Sequence, residues 1–184
     1  MLTIGTPKSD RITTITDTSW AEYISLDCKS KRVSFRQGVI TIVSPGLNHE
    51  RYADIIRMII LFYCRQQQIK AYSFNSYTLK EEGKEGKEPD VAYSFGVDKE
   101  KPDLAVEINL TSGSIDDLTK YQYLKITEVW IWQKNRIKLF VLDVDKYRLE
   151  DFSFYLAGLQ GDRITEIVNN CFGESVLEVE NYFS

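Results

Sequence analysis

The chain has 184 residues, 43% of them apolar and 27% charged, with a net charge of -4 and a pI near 5.2. That length suits one domain over residues 1–184 with a single core. The acidic balance argues against binding nucleic acid through bulk charge, and the abundance of Tyr and Phe argues against disorder.

The three cysteines, Cys28, Cys64 and Cys171, are far apart and form neither a CxxC nor a disulfide framework. With His49 as the lone histidine, they argue against a zinc site. Reduced thiols suit a cytoplasmic protein. The N-terminal stretch has no apolar core of signal-peptide type. The best apolar run, Ile55 to Cys64, is broken by Arg57 and is too short to span a bilayer, so no membrane partner is expected.

In chain order, Thr18 or Ser19 caps a short helix from Ser19 to Leu26. Two β-rich runs, Arg32 to Arg36 and Val39 to Val43, flank a turn at Gln37-Gly38 and predict a hairpin. Asn48 is the predicted cap of a long helix, His49 to Gln68, with Ile55, Ile56, Ile59, Ile60 and Tyr63 at helical spacing. Short strands are predicted at Lys70 to Phe74 and Tyr77 to Lys80. The charged, Gly-containing stretch Glu81 to Glu88 reads as a loop. Lys80, Lys84 and Lys87, before Asp90, like the cluster Lys29-Ser30-Lys31-Arg32, read as solvated charges.

Asp90 to Tyr93 and Leu104 to Ile108 predict strands, and Ser114 to Leu124 a helix with an acidic first turn. Val129-Trp130-Ile131-Trp132 has no polar alternation, as in a strand buried on both faces. Arg136 to Leu142 pairs with it, Tyr147 to Phe154 adds a strand, and Asp162 onward forms a final helix. The order predicts an α/β (α+β) fold with a mixed sheet.

Two carboxylates stand against apolar strands: Asp90 in Glu88-Pro89-Asp90, and Glu107 at the end of Leu104-Ala105-Val106. An ionised group beside a buried run needs a partner. Two of them on neighbouring strands repel unless a cation lies between, and hard oxygen donors favour Mg²⁺ or Mn²⁺. Such an ion polarises a phosphodiester and activates water. Taken singly, Asp90 also reads as a strand-start aspartate and Glu107 as half of a salt bridge. Glu50 reads either as a third carboxylate for the ion or as a first-turn residue favoured by the helix dipole. Lys120 reads either as a surface partner of Asp116 or as a cation that orients water and neutralises phosphate charge.

The motifs SPGLNHERY, EPDVAY, PDLAVEINLTSGSIDDLTKY and ITEVWIW, in this order, closely resemble the Uma-two family of restriction-endonuclease-like proteins, over roughly Trp20 to Tyr147. The resemblance implies the PD-(D/E)xK fold, here with the N-terminal β-hairpin as an extension. It also implies a Mg²⁺-dependent phosphodiesterase site and DNA as substrate. Asp90 matches the aspartate of the PD motif and Glu107 its second acid. Glu50 matches the helical acidic position, and His49 the histidine before it. The implied metal ligands are thus Asp90, Glu107 and Glu50.

Two positions depart from the pattern. Asn109 stands where the commonest motif has lysine, and the family moves that lysine to the following helix. There the expected lysine position holds Asp117, and Lys120, one turn on, is the nearest substitute. Three readings follow: a metal-dependent DNA endonuclease, a nuclease-fold binding module without turnover, or an interaction domain using Trp130 and Trp132. A homodimer would suit duplex cleavage, and symmetric dimers are common in any case.

Overall fold

The computed structural model describes residues 9–26, 31–74, 77–110 and 115–184. Cys28, Lys29, Ser30 and Thr111 to Ser114, with the predicted helix start at Ser114, therefore lie outside the described residues, as do the side chains of Ile115 and Asp116.

The strands form two sheets rather than one. The larger runs in the order β11-β10-β9-β8-β7-β4: β4 Ala71–Ser73, β7 Val91–Phe95, β8 Leu104–Asn109, β9 Glu128–Gln133, β10 Arg136–Asp143 and β11 Lys146–Glu150. It is mixed, because β8 and β9 run parallel and its other pairs antiparallel. The parallel pair needs a crossover, supplied by α3, Ile115–Leu124. The smaller sheet is antiparallel, in the order β1-β3-β2-β6-β5. Its strands are β1 Arg11–Ile15, β2 Arg32–Arg36, β3 Val39–Ser44, β5 Leu79–Glu81 and β6 Glu85–Lys87.

Strand alternation divides the large sheet into two faces. Leu104, Val106 and Ile108 join Trp130 and Trp132 in the main core under α2, Leu47–Gln66, and α4, Gly161–Cys171. Ala105, Val129 and Ile131 face the other way and pack with Tyr121 and Leu124 of α3. Both tryptophans are fully buried, which removes the reading in which they form an exposed contact surface. The buried carboxylate of Glu128 accepts from Trp130 Nε1 at 2.7 Å and from the N–H groups of Phe154 and Tyr155, tying the segment after β11 to β9.

The small sheet has an unusual inner face. Val33, Phe35 and Ile40 pack with Tyr23 of the short helix α1, Trp20–Ser25. The opposite face carries Arg32, Ser34 and Arg36 of β2 with Glu85 and Lys87 of β6, and it is this polar face that turns toward β8 and α3. Gly86, between the two charged residues, lies so close to α1 that a Cβ there would come within 2.3 Å of the Tyr23 hydroxyl. Only glycine lets β6 approach so closely.

Several expectations hold: the Ser19 cap, with a full capping box to Glu22, the hairpin, the long helix and the Val129 to Trp132 strand. Others need correction. The long helix is capped by Gly46, so Asn48, His49 and Glu50 lie in its first turn; Glu50 N–H already donates to the Gly46 carbonyl. The presumed loop Glu81 to Glu88 contains buried β6, and the Tyr147 to Phe154 strand ends at Glu150. Strand β1 and the final 3-10 helix, Val176–Tyr182, carry no clear periodic signal.

Glu85 is buried, and one of its oxygens lacks a hydrogen-bond partner. Burial pushes its carboxyl up to about 7, against the opposing pull of Lys120, Arg36 and Lys87. A raised acid stabilises the fold fully below its unfolded value, and this contribution is lost as pH rises through the folded value. Glu85→Gln should therefore raise stability at pH 8 by roughly 2–3 kcal/mol and leave it nearly unchanged near pH 4.5. Urea denaturation at the two pH values measures the difference.

Candidate active site

The ladder of β7 with β8 pairs Val91 with Val106, so one further step sets Asp90 opposite Glu107. Asp90 N–H donates to the Val106 carbonyl at 3.1 Å, and Ile108 N–H donates to Asp90 Oδ2 at 2.7 Å. The two acids thus leave neighbouring strands on the same face. Both are buried, and both line a cleft of about 210 Å³ between the sheets. Asp117, Lys120, Lys87 and His49 line it too.

Directly opposed like charges on a sheet repel and require counter-charges. The protein supplies four. Arg32 of β2 places Nε 2.6 Å from Asp90 Oδ1 as an ion pair. His49 Nε2 is 3.0 Å from the same oxygen. Lys87 of β6 places Nζ 2.8 Å from Glu107 Oε2 and 3.0 Å from Asp117 Oδ1. Lys120 Nζ lies 3.9 Å from Asp117 and donates to Ser34 Oγ at 3.2 Å. The Tyr121 hydroxyl donates to Glu107 Oε1.

These contacts set the protonation states. Burial alone would lower the His49 imidazole, but Asp90 on one nitrogen and Asp10 on the other, 3.0 Å from Nδ1, push it up to about 9. Burial pushes Glu107 up to about 7; Asp90 and Asp117 reinforce the rise while Lys87 opposes it. Burial would discharge Lys87, yet Glu107 and Asp117 hold its ammonium well above the ordinary value. Lys120 is lowered, by burial first and then by Lys87. Burial would raise Asp117, but the two lysines bring it below its ordinary range.

The predicted residues are only partly brought together. Asp90, Glu107 and Lys120 share the cleft. Glu50 is half-exposed, does not line the cleft, and is linked to Asp90 through Arg32, whose Nη1 is 3.1 Å from Glu50 Oε1. Asn109 lines the cleft and donates its amide to Asp117 Oδ2 at 3.2 Å. Arg32 and Lys87, read as solvated charges, are instead the nearest cations to the two acids. The alternation Glu85-Gly86-Lys87 before Pro89-Asp90 was the available signal, since glycine between charged residues permits a close strand. Asp10 gave no signal at all.

As placed, these residues do not fit a divalent ion. The donors are of the right chemistry, but both oxygens of Asp90 and both of Glu107 are engaged. Among the described residues, no three His, Cys, Asp or Glu side chains converge to hold a metal.

A mixed sheet between helices, with paired acids where β7 meets β8, defines a restriction-endonuclease-like α+β protein. A family model described as "Uma2: Putative restriction endonuclease" matches residues 20–168, and the chain belongs to that family. No curated protein matches the sequence. Among the described residues, no helix is long and apolar enough to cross a membrane.

The contacts rank the acids. Asp90→Asn removes the buried anion that Arg32 and His49 share, leaving each with one acidic partner, and should cost about 3 kcal/mol. Glu50→Gln breaks a half-exposed pair and should cost under about 1 kcal/mol. Urea denaturation of both variants at pH 7 provides the comparison.

Proposed function

We propose that this protein is an endonuclease that hydrolyses phosphodiester bonds of DNA in the cleft between its two sheets. The observation that carries this reading is the pair Asp90 and Glu107, buried and opposed on neighbouring strands at the floor of an open polar cleft. Opposed buried acids are costly in a purely structural role, because each needs a counter-cation. A site that handles a phosphodiester has a use for both signs of charge: acids to engage water or metal, cations to neutralise the phosphate. In the hydrolysis, water oxygen adds to phosphorus, the ester P–O bond breaks, and the leaving oxygen takes a proton.

Should the cleft take Mg²⁺ or Mn²⁺, Asp90 and Glu107 would hold it only after exchanging the partners they have here. Its entry requires Arg32 to leave Asp90, since their 2.6 Å contact occupies the carboxylate. Lys120 is the proposed water-side cation on α3. A homodimer would present two clefts to the two strands of a duplex.

A second reading is a nuclease-fold module that binds nucleic acid or protein without turnover. It is favoured by the same engagement of every Asp90 and Glu107 oxygen. The two readings separate in one assay. Supercoiled plasmid is incubated with the protein and 5–10 mM MgCl₂ or MnCl₂ (roughly the range at which weak divalent sites fill), or with EDTA. The endonuclease reading expects nicked and linear DNA only with the metal. Glu107→Gln keeps the shape of an acid that burial already disfavours as an anion, so it should fold normally and cleave at least about 100-fold more slowly. Absence of cleavage by folded wild-type protein on duplex, single-stranded DNA and RNA would favour the module instead.

A further inference from the structure

Lys87 is the lysine that stands nearest to the paired acids. It is 9% exposed, on a three-residue strand, with its ammonium inside the cleft. Lysine is rarely buried without a purpose, because losing its hydration costs several kcal/mol unless partners restore it. Two carboxylates restore it: Glu107, one of the paired acids, and Asp117 on α3. The strand that carries it is fixed on its other side, where Gly86 meets the Tyr23 ring. Lys87 is therefore delivered from a rigid backbone to a defined point.

We propose that Lys87 is the residue that contacts the scissile phosphate, and that Asp117 positions it. This inference rests on the nuclease reading and names the cation of that site. Helix α3 carries an acid at position 117, and β6 of the facing sheet carries the lysine that meets it. Lys120 is the less suitable cation on geometry. Its Nζ is engaged by Ser34 Oγ and stands farther from the acids, 3.9 Å from Asp117. Lys87 Nζ lies beside Glu107, so a phosphate oxygen entering the cleft above Glu107 would meet it first. The ammonium keeps its proton throughout. It acts as a fixed positive charge that hydrogen-bonds the non-bridging oxygen, and it stabilises the charge that builds there as water adds.

The test uses the full chain and four variants: Lys87→Met, Lys87→Asp, Asp117→Lys and the reciprocal double variant K87D/D117K. Three quantities are read. These are single-turnover cleavage of a labelled duplex, duplex affinity by fluorescence anisotropy in EDTA, and melting temperature. Lys87→Met should lose at least about 100-fold in cleavage while duplex affinity falls less than about tenfold. Lys87→Asp should lose more. The reciprocal variant returns an ammonium to the same gap from the opposite element and should cleave at least about tenfold faster than Lys87→Asp.

A merely structural lysine would instead lower melting temperature, affinity and cleavage together, and that result would overturn the proposal. So would Lys87→Met cleaving at the wild-type rate, which leaves the nuclease reading standing. Should Lys87→Met fail to fold, the reciprocal variant, which keeps the charge balance, decides the matter: folded yet no faster than Lys87→Asp, it refutes the role. Wild-type protein that cuts nothing refutes the nuclease reading and this inference with it.

Discussion

Two like charges cannot share one face of a sheet without counter-charges, and the architecture follows from that constraint. Asp90 and Glu107 leave neighbouring strands of the large sheet side by side. Their nearest cations, Arg32 and Lys87, come from adjacent strands of the small sheet, β2 and β6. The interface between the sheets is therefore held by charge as well as by apolar packing. Asp90 and Glu107 face the cations Arg32 and Lys87 across this interface.

This arrangement explains why the small sheet has its polar face inward. In most half-buried sheets the alternating polar residues meet water. In Arg32-Val33-Ser34-Phe35-Arg36 the apolar set, Val33 and Phe35, is covered by α1 instead. The polar set is left to line the cleft and pair with Asp90 and Glu85. Buried ion pairs of this kind add little net stability over an apolar equivalent, and removing one partner is expensive. The carboxylates of Asp90 and Glu107 are each engaged twice by the protein, Asp90 by Arg32 and the Ile108 N–H, Glu107 by Lys87 and the Tyr121 hydroxyl.

The main elements were legible because their signals are local. A 3.6-residue apolar period marks the long helix, β-branched runs about Gln37-Gly38 mark the hairpin, and an unbroken apolar run marks β9. The pairing of Asp90 with Glu107 was legible too, since each is a carboxylate set against a buried strand. Lys87 and Arg32 were not. Both sit among charged neighbours, and a charge run reads as solvated whether or not a second layer covers it. Strand β6 was missed because three residues with a central glycine carry almost no β-propensity; its strand character comes from its pairing with β2 and β5.

The sequence by itself determined which residues alternate, which segments coil, and that two acids end on adjacent apolar strands. These follow from backbone periodicity and burial, which act over a few residues. Only the tertiary structure decided which face of the small sheet is covered, and hence that Arg32 and Lys87 rather than a helix lysine stand beside those acids. The physical reason is that periodicity defines two faces of a strand but does not say which one meets solvent. That choice depends on what packs against it from elsewhere in the chain.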